Sequence, residues 1–548
     1  MRGTAARIAV VVLAALIGTV AVLGGTVREA SAHAGLEVSI PSANSVVEVA
    51  PPELVLDFDE AIETSLTSIV LYDAAAKPIP LDTPVAGADA SVVIATVPES
   101  SGARIVDGVY AVIWRVTSAD GHVVDGAFSF QVGTAGVGGG QELIDQVRNG
   151  VSADSSVRWW YAVARFLSLV GAITLIGGGL WLLGGPVELL RRRRSRWTIT
   201  LSWLALFVGS IAAFALFAAQ AVAGSLSDAL VTDRWGDVAT TATGRMILLR
   251  VAVAVVLAAL LVLRRHRSRG WWRGAAGTAG LLILYTFPAS GHPNAQNPAA
   301  LWIAIDLAHL AAITLWIGGL LALCLTSAAT LSQPDGQRLA RRFSFAASVC
   351  VPVIVVTGVA QTLRLAGGLG DITDTDWGRL LLVKVTLVVG LLAIAGVSRW
   401  LLHHDGAASV RRTVNLEFLV GVVVIGLAAG MVGLPPVPPV VSKPFEAQLT
   451  SAGLIASVSL GPGSVGGNEV HITITPQGGS ITPVAGVTAR VSLPSAQVPF
   501  APVTLTQEGP NHYSGTVTLP RSGEWTFELD VQVTAASSVL LKTTVPIP

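Results

Sequence analysis

Thiols are almost absent. The 548 residues hold two cysteines, Cys324 and Cys350, and both fall in apolar stretches. The soluble stretches therefore have no disulfide framework and no cysteine metal cage, and both side chains read as small buried apolar groups. Methionine is as scarce, at three residues, Met1, Met246 and Met431, so a thioether-rich site for a soft metal ion cannot be built outside the apolar stretches. Charge is scarce too. Only 13% of the side chains are charged, with 35 basic residues matched by 35 acidic ones, so neither nucleic acid nor another polyanion is implied as a partner. There is no Walker sequence, no Asp-Lys-Thr phosphorylation sequence and no large soluble stretch between the apolar segments. ATP hydrolysis has no seat, and the chain reads as a non-enzyme.

What is abundant is apolar surface: 52% of the residues are hydrophobic and the mean hydropathy is +0.65. That composition belongs to a multi-pass membrane protein with soluble parts. Residues 1–32 carry Arg2 and Arg7, an apolar run from Ile8 to Leu23 and the small-residue sequence Ala30-Ser31-Ala32, the pattern of a signal peptide cut after Ala32. Cleavage there would make His33 the amino terminus. From 33 to 133 short alternating runs such as Leu54-Val55-Leu56-Asp57-Phe58 are separated by Pro, Gly and Asp turns. Roughly seven such strands predict an all-β, Ig-like sandwich. Residues 134–158, opening on a Gly-rich run, read as a linker.

Eight apolar segments follow within 159–434, near 161–183, 199–223, 246–263, 274–288, 301–325, 344–363, 380–402 and 416–434. They predict an α-helical bundle of eight transmembrane helices, the short fourth extending toward Trp271. Arginine clusters in alternate loops: Arg191 to Arg194 with Arg196; Arg264, Arg265, Arg267, Arg269 and Arg273; Arg338, Arg341 and Arg342; Arg411 and Arg412. The positive-inside rule places those loops in the cytoplasm and both soluble regions outside, in agreement with the signal peptide. After a Pro-rich exit at 435–439, residues 445–548 return to alternation and predict a second, small all-β domain. His471 and His512 there read as surface or edge-strand residues.

Two constellations carry chemistry. In the first soluble domain Ser118-Ala119-Asp120-Gly121-His122 follows a strand ending in Trp114-Arg115-Val116. A terminal His33 would add its amine and ring nitrogen, and three nitrogens with one carboxylate oxygen suit Cu(II). Taken alone, the same residues also read as an ordinary Asp-Gly turn beside an exposed histidine. In the fifth apolar segment Trp302, Asp306, His309, Ile313, Trp316 and Leu320 recur at helical spacing and share one face. Asp306 and His309 lie about 7 Å and 12 Å along the axis from Leu301, in the outer half of the bilayer. His292, in Ser290-Gly291-His292, lies at the same side. Intramembrane ionisable groups mark pathways when they face a bundle interior, so His292, Asp306 and His309 form a candidate metal path. An Asp306–His309 hydrogen bond inside the bundle would give the same pattern. Arg165, Arg250, Gln361 and Lys384 fall at comparable depth, where cations also snorkel to headgroups. Gly318-Gly319 reads as close helix packing.

His33-Ala34-Gly35-Leu36, the run from Ala50 to Phe58, Gly108 to Val116 and Ser118-Ala119-Asp120-Gly121-His122 together resemble the CopC family of copper-binding β-sandwiches over residues 33–133. The resemblance implies a Cu(II) site of His33, Asp120 and His122. Val123 stands where the family usually has proline, and the methionine-rich Cu(I) site of some members is missing. Ser290-Gly291-His292, Asp306-Leu307-Ala308-His309, Trp316 to Leu320, Gly378 to Lys384 and Asn415-Leu416-Glu417 resemble the CopD copper-resistance or import domain, over about 159–434. Residues 445–548 weakly resemble YtkA-like domains. The resemblances imply a copper transport or homeostasis protein of the cell membrane. Copper would be captured outside and passed to the bundle for uptake or tolerance. Copper and lipid bilayer are the implied partners, with other extracytoplasmic copper proteins if the chain is instead a membrane-anchored binding and delivery protein. A haem redox enzyme would need facing histidine pairs in the bilayer. His266, His403 and His404 fall at the cytoplasmic ends, leaving only His292 with His309.

Overall fold

The computed structural model describes residues 35–547 except 42, 44–45, 48, 59, 99–104, 119–120, 122, 134–139, 151–154, 222–223, 292, 294–297, 366–371, 374, 405–410, 433, 435–444, 462, 464–465, 477–482 and 535–536. The expected signal peptide, His33, Asp120, His122, His292 and the Pro-rich exit lie outside the described residues.

The first domain is a two-sheet sandwich. Its strands are β1 (Leu36–Ile40), β2 (Val46–Val47), β3 (Glu53–Phe58), β4 (Ser68–Tyr72), β5 (Pro78–Ile79), β6 (Val85–Ala86), β7 (Val92–Thr96), β8 (Gly108–Thr117) and β9 (Val123–Val132). One sheet has the order β1-β3-β7-β6 and the other β2-β9-β8-β4-β5. The count exceeds the expected seven because β2, β5 and β6 are two-residue strands without a legible alternation. Alternation sets the core: Leu54, Leu56 and Phe58 of β3 face Tyr110, Val112, Trp114 and Val116 of β8 and Phe128, Phe130 and Val132 of β9. Each such side chain contributes about 1.5–3 kcal/mol by leaving water. The Tyr110 hydroxyl donates to the Val106 carbonyl at 2.7 Å and accepts from the Val106 N–H at 3.0 Å. Burial pushes its pKa above the usual tyrosine value. The β8–β9 hairpin pairs from Gly108↔Val132 to Thr117↔Val123, which puts Ser118 and Gly121 at its tip.

Part of the stretch expected to be a linker is a helix, α1 (Gly140–Gly150). Leu143, Ile144 and Val147 are buried against Ala111 of β8 and its neighbours, so the outer face of the sheet is covered. A short, mostly polar segment of this kind lacks the long apolar period that signals a helix.

The bundle contains α2 (Ser155–Gly184), α3 (Val187–Arg191), α4 (Arg193–Ala221), α5 (Trp235–Thr240), α6 (Ala242–Val262), α7 (Gly270–Tyr285), α8 (Ala299–Leu325), α9 (Ala328–Leu331), α10 (Pro334–Leu365), α11 (Asp376–His404) and α12 (Arg411–Met431). Among the described residues seven helices are long and apolar enough to cross a membrane. The eighth expected span is α7, which starts beside Trp271 and has 16 residues. Its length of about 24 Å falls short of a hydrocarbon core of about 30 Å. The 3-10 turn Pro288–Ser290 follows it. At the centre α2 and α8 meet backbone to backbone: a Cβ on Gly318 would lie 2.2 Å from the Gly177 carbonyl carbon.

The C-terminal domain has β10 (Phe445–Ser451), β11 (Leu454–Gly461), β12 (Gly466–Pro476), β13 (Gly486–Leu493), β14 (Val498–Gly509), β15 (His512–Leu519), β16 (Gly523–Thr534) and β17 (Ser537–Ile547). They form one sheet of order β10-β11-β12-β15-β14-β13-β16-β17, with β10 lying against β17 so that the sheet curls into a barrel-like form. Trp525, Phe527, Leu529 and Val531 of β16 fill its interior.

On the opposite face of β16, Glu528 accepts from Arg490 at 2.7 Å and from Lys542 at 3.2 Å. The Arg490 hydrogen bond, with Lys542 adding to it, holds the carboxyl below the usual glutamate range. A lowered folded pKa stabilises fully above the unfolded value of about 4.3 and is lost as pH falls through the folded one. Glu528→Gln is expected to lower stability at neutral pH and to flatten its decline on acidification below about pH 4.3. Denaturation series at several pH values check this, and parallel wild-type and variant curves would remove the role.

Candidate functional site

The hairpin tip of the first domain rests on the membrane bundle. Gly121 has a φ of +83°, and a Cβ there would lie 2.3 Å from Thr243 Oγ1. Conformation and contact thus both demand glycine in the Asp-Gly-His sequence. Thr243 belongs to the first turn of α6, whose start is capped from two domains. Thr241 Oγ1 accepts from the Gly244 N–H at 2.9 Å, and Glu63 Oε1 of the sandwich accepts from the Ala242 N–H at 2.8 Å. A carboxylate at a helix amino terminus satisfies an orphan donor and the helix dipole together.

Beside this cap the turn Thr64–Leu66 inserts Leu66 among Phe214, Phe217, Ala218 and Ala221 of α4, Val238 of α5 and Ile247 of α6. Leu66 retains 4% of its exposure. Arg115 of β8 donates to the Gln220 carbonyl at 3.4 Å while pairing with Asp125 at 3.3 Å. The sandwich is therefore docked on the bundle by an apolar plug, a cross-domain cap and a guanidinium.

Beneath the tip, Thr243 Oγ1 donates to the Ser290 carbonyl at 3.4 Å. This joins the hairpin tip of the first domain to the turn that carries Ser290. The turn carrying Ser290 is held from below by Arg250 of α6, which is 4% exposed. Its Nε and Nη2 donate to Thr286 Oγ1 at 2.8 Å and the Thr286 carbonyl at 3.1 Å, and Nη1 reaches Ser168 Oγ at 3.4 Å. The guanidinium also lies 3.7 Å from the centre of the Phe287 ring. Arg250 does not snorkel; it ties α2, α6 and the end of α7 together.

Deeper in the bundle, α8 presents Asp306 and His309 to α10. Asp306 accepts from Gln361 Nε2 at 2.9 Å, and His309 Nδ1 lies 2.7 Å from Thr357 Oγ1. The expected alternative of an Asp306–His309 hydrogen bond is replaced by these two bonds to the neighbouring helix. Thr357 Oγ1 is also 2.6 Å from the Val353 carbonyl. A carbonyl can only accept, so the hydroxyl hydrogen goes there and His309 must donate from Nδ1. The lone pair then resides on Nε2, the arrangement of a metal-binding imidazole whose other nitrogen is held by a hydrogen bond. Lys384 of α11 lies near enough for its charge to act on both Asp306 and His309. Among the described residues no three His, Cys, Asp or Glu side chains gather as a metal cage. The structure brings the hairpin tip to Ser290 and brings Asp306 and His309 to a common face.

Family models divide the chain into three parts. The CopC domain matches residues 36–133, the copper resistance protein D-like N-terminal domain matches 153–298, and copper resistance protein D matches 337–431. The chain carries a CopC domain ahead of a CopD domain. The Copper transport protein CutJ of Bacillus subtilis (strain 168) is 26% identical over 469 residues, covering 82% of this chain and 83% of that protein. Among solved structures, CopC from Methylosinus trichosporium OB3b is 28% identical and aligns over 19% of this chain and 100% of its own, with a TM-score of 0.17. PcoC, a methionine-rich copper resistance protein from Escherichia coli, is 28% identical over 18% of this chain and 98% of its own, also with a TM-score of 0.17.

In this CopC–CopD fusion, sequence reasoning missed Glu63, Leu66, Thr243 and Thr357. Thr357 stands four residues before Gln361 and so on the same helical stripe, a signal that was available. The other three act across domains and leave no local pattern. His471 is also placed differently from expectation, on the interior strand β12 with a ring 13% exposed. It lies beside the His512 ring at 5.9 Å between centroids.

Leu66→Ala is expected to weaken docking by about 2–3 kcal/mol, the burial of one leucine. Hydrogen exchange at the amides of Ala242 to Gly244 should then rise, while β8 of the sandwich stays protected. Unchanged exchange at those amides would show that Leu66 does not hold the domains together.

Proposed function

We propose that this chain is a copper transport and resistance protein whose CopC domain captures Cu(II) outside the cytoplasmic membrane on His33, Asp120 and His122. The ion then passes to the CopD domain by way of His292, Asp306 and His309, for uptake or tolerance. The single observation that carries the reading is the seating of the β8–β9 tip on Thr243, one hydrogen bond from Ser290. A bound ion released at the tip would meet the bundle directly, without diffusing through bulk solvent. Copper is cargo here, and no step needs a resident cofactor.

The donor chemistry supports the same path. Amine and imidazole nitrogens with a carboxylate oxygen favour Cu(II). His309, with its proton held on Nδ1, offers Nε2 as the next ligand, and Asp306 supplies nearby negative charge. The alternation of arginines among the loops supports placing both β-domains outside. We assign no chemistry to the C-terminal domain, which weakly resembles YtkA-like domains.

Two measurements test this. Cells bearing the His309→Ala variant should lose copper accumulation at normal expression. Wild-type accumulation in that variant would reduce His309 to packing, and a wild-type protein that changes only the loading of external cuproproteins would favour an anchored delivery role. Electron paramagnetic resonance of the CopC domain should show one type-2 Cu(II) centre that weakens when a residue is added before His33. Unchanged affinity in the extended form would eliminate the terminal amine as a ligand.

A further inference from the structure

At the end of the bundle away from the docked sandwich, a cavity of about 300 Å³ is lined by Arg192, Arg193, Arg194 and Arg411 with Cys324, Leu325, Thr326 and Ser327. The position follows from the chain: α8 starts beside the Ser290 turn and ends at Leu325, so its last residues mark the opposite end. Neither the copper path nor the docking of the first domain uses this cavity.

The charged residues that line it are all arginines, and the Glu417 carboxyl, near enough to act on Cys324, accepts from Ser398 Oγ. Arg192 spends its guanidinium on the framework, donating to the Leu325 carbonyl at 3.5 Å, Ser327 Oγ at 3.2 Å and Thr330 Oγ1 at 3.0 Å. Those bonds fix the wall and counter the carbonyl end of α8, which would otherwise repel an anion. Arg193, Arg194 and Arg411 are exposed. Among the described residues none of the four arginines makes an ion pair. One helix also begins at the cavity, α4 at Arg193, and Arg411 of α12 faces it. The first N–H groups of α4 lack intrahelical acceptors and carry the positive end of its helix dipole. Guanidinium groups pair with phosphate oxygens in a two-pronged geometry that an ammonium cannot reproduce. The ends of membrane-crossing helices lie at headgroup depth, where basic pockets between helices take phosphate groups.

We propose that Arg192, Arg193, Arg194 and Arg411 form a site for a phosphate-bearing anion, whose source is the headgroup of an anionic phospholipid or free phosphate. Bound there, the anion bridges the start of α4 and Arg411 of α12 to the end of α8 and so braces the helix that carries Asp306 and His309. Because Cys324 lines the same cavity while Cys350 is buried elsewhere, an occupant shields one thiol and leaves the other unaffected.

The test uses the full chain in neutral detergent, with phosphatidylglycerol, phosphatidylcholine or inorganic phosphate as separate additions. Melting temperature and the rate of maleimide labelling at Cys324 are read in each. Stabilisation and slower labelling with phosphatidylglycerol alone support the site with a lipid as its source. The same response to inorganic phosphate supports it with a free anion as its source. Arg193→Gln/Arg194→Gln/Arg411→Gln should weaken the effective anion roughly a hundredfold. Arg193→Lys/Arg411→Lys keeps the charge and the fold, and should weaken it less. No response to either anion, or an equal response in wild type and the glutamine variant, would overturn the proposal, the latter showing adsorption to the surface at large.

Discussion

The contact on which the arrangement depends is the cap that Glu63 places on the amino terminus of α6, with Leu66 plugged beside it. The two parts of the contact do different work. The apolar plug supplies most of the attraction, because burying a leucine is favourable whatever its orientation. The hydrogen bond from Ala242 to Glu63 supplies direction, because only one pose sets a carboxylate on the axis of a helix. Together they fix which part of the sandwich faces the bundle, and that part is the β8–β9 tip.

The membrane half answers with rigidity at matching positions. Arg250 is a buried guanidinium bonded to hydroxyls and a carbonyl. Placing a cation there costs several kcal/mol unless such partners and the Phe287 ring repay it. The return is a fixed Ser290 turn beneath the docked tip. Further in, Thr357 and Gln361 orient His309 and Asp306 separately, so neither ligand candidate is consumed by the other. At the far end of α8 the arginine-lined cavity is held by the same helix.

Much of the fold was legible for reasons that can be named. Leu54, Leu56 and Phe58 alternate because one face of β3 meets the other sheet, and the long apolar runs reflect the bilayer itself. Asp306 and His309 stood out because ionisable groups are costly in such runs. What was not legible was local in pattern but remote in cause. Thr243 looks like any threonine in the first turn of a helix, Glu63 like any exposed turn carboxylate, and α1 was hidden by its shortness. His471 reads as a surface residue until the strand order places β12 inside its sheet.

By itself the sequence determined the membrane class, the two flanking β-domains, the family resemblances and the residue types that suit copper. These follow from composition, periodicity and short motifs, each carried by neighbouring residues. Only the tertiary structure decided that the sandwich docks rather than hangs on its linker, and that His309 is held by Thr357 rather than by Asp306. Glu63 and Ala242 are 179 residues apart, and His309 and Thr357 are 48 apart. At such separations the partner of a polar group is set by how helices and sheets pack, which no local pattern encodes.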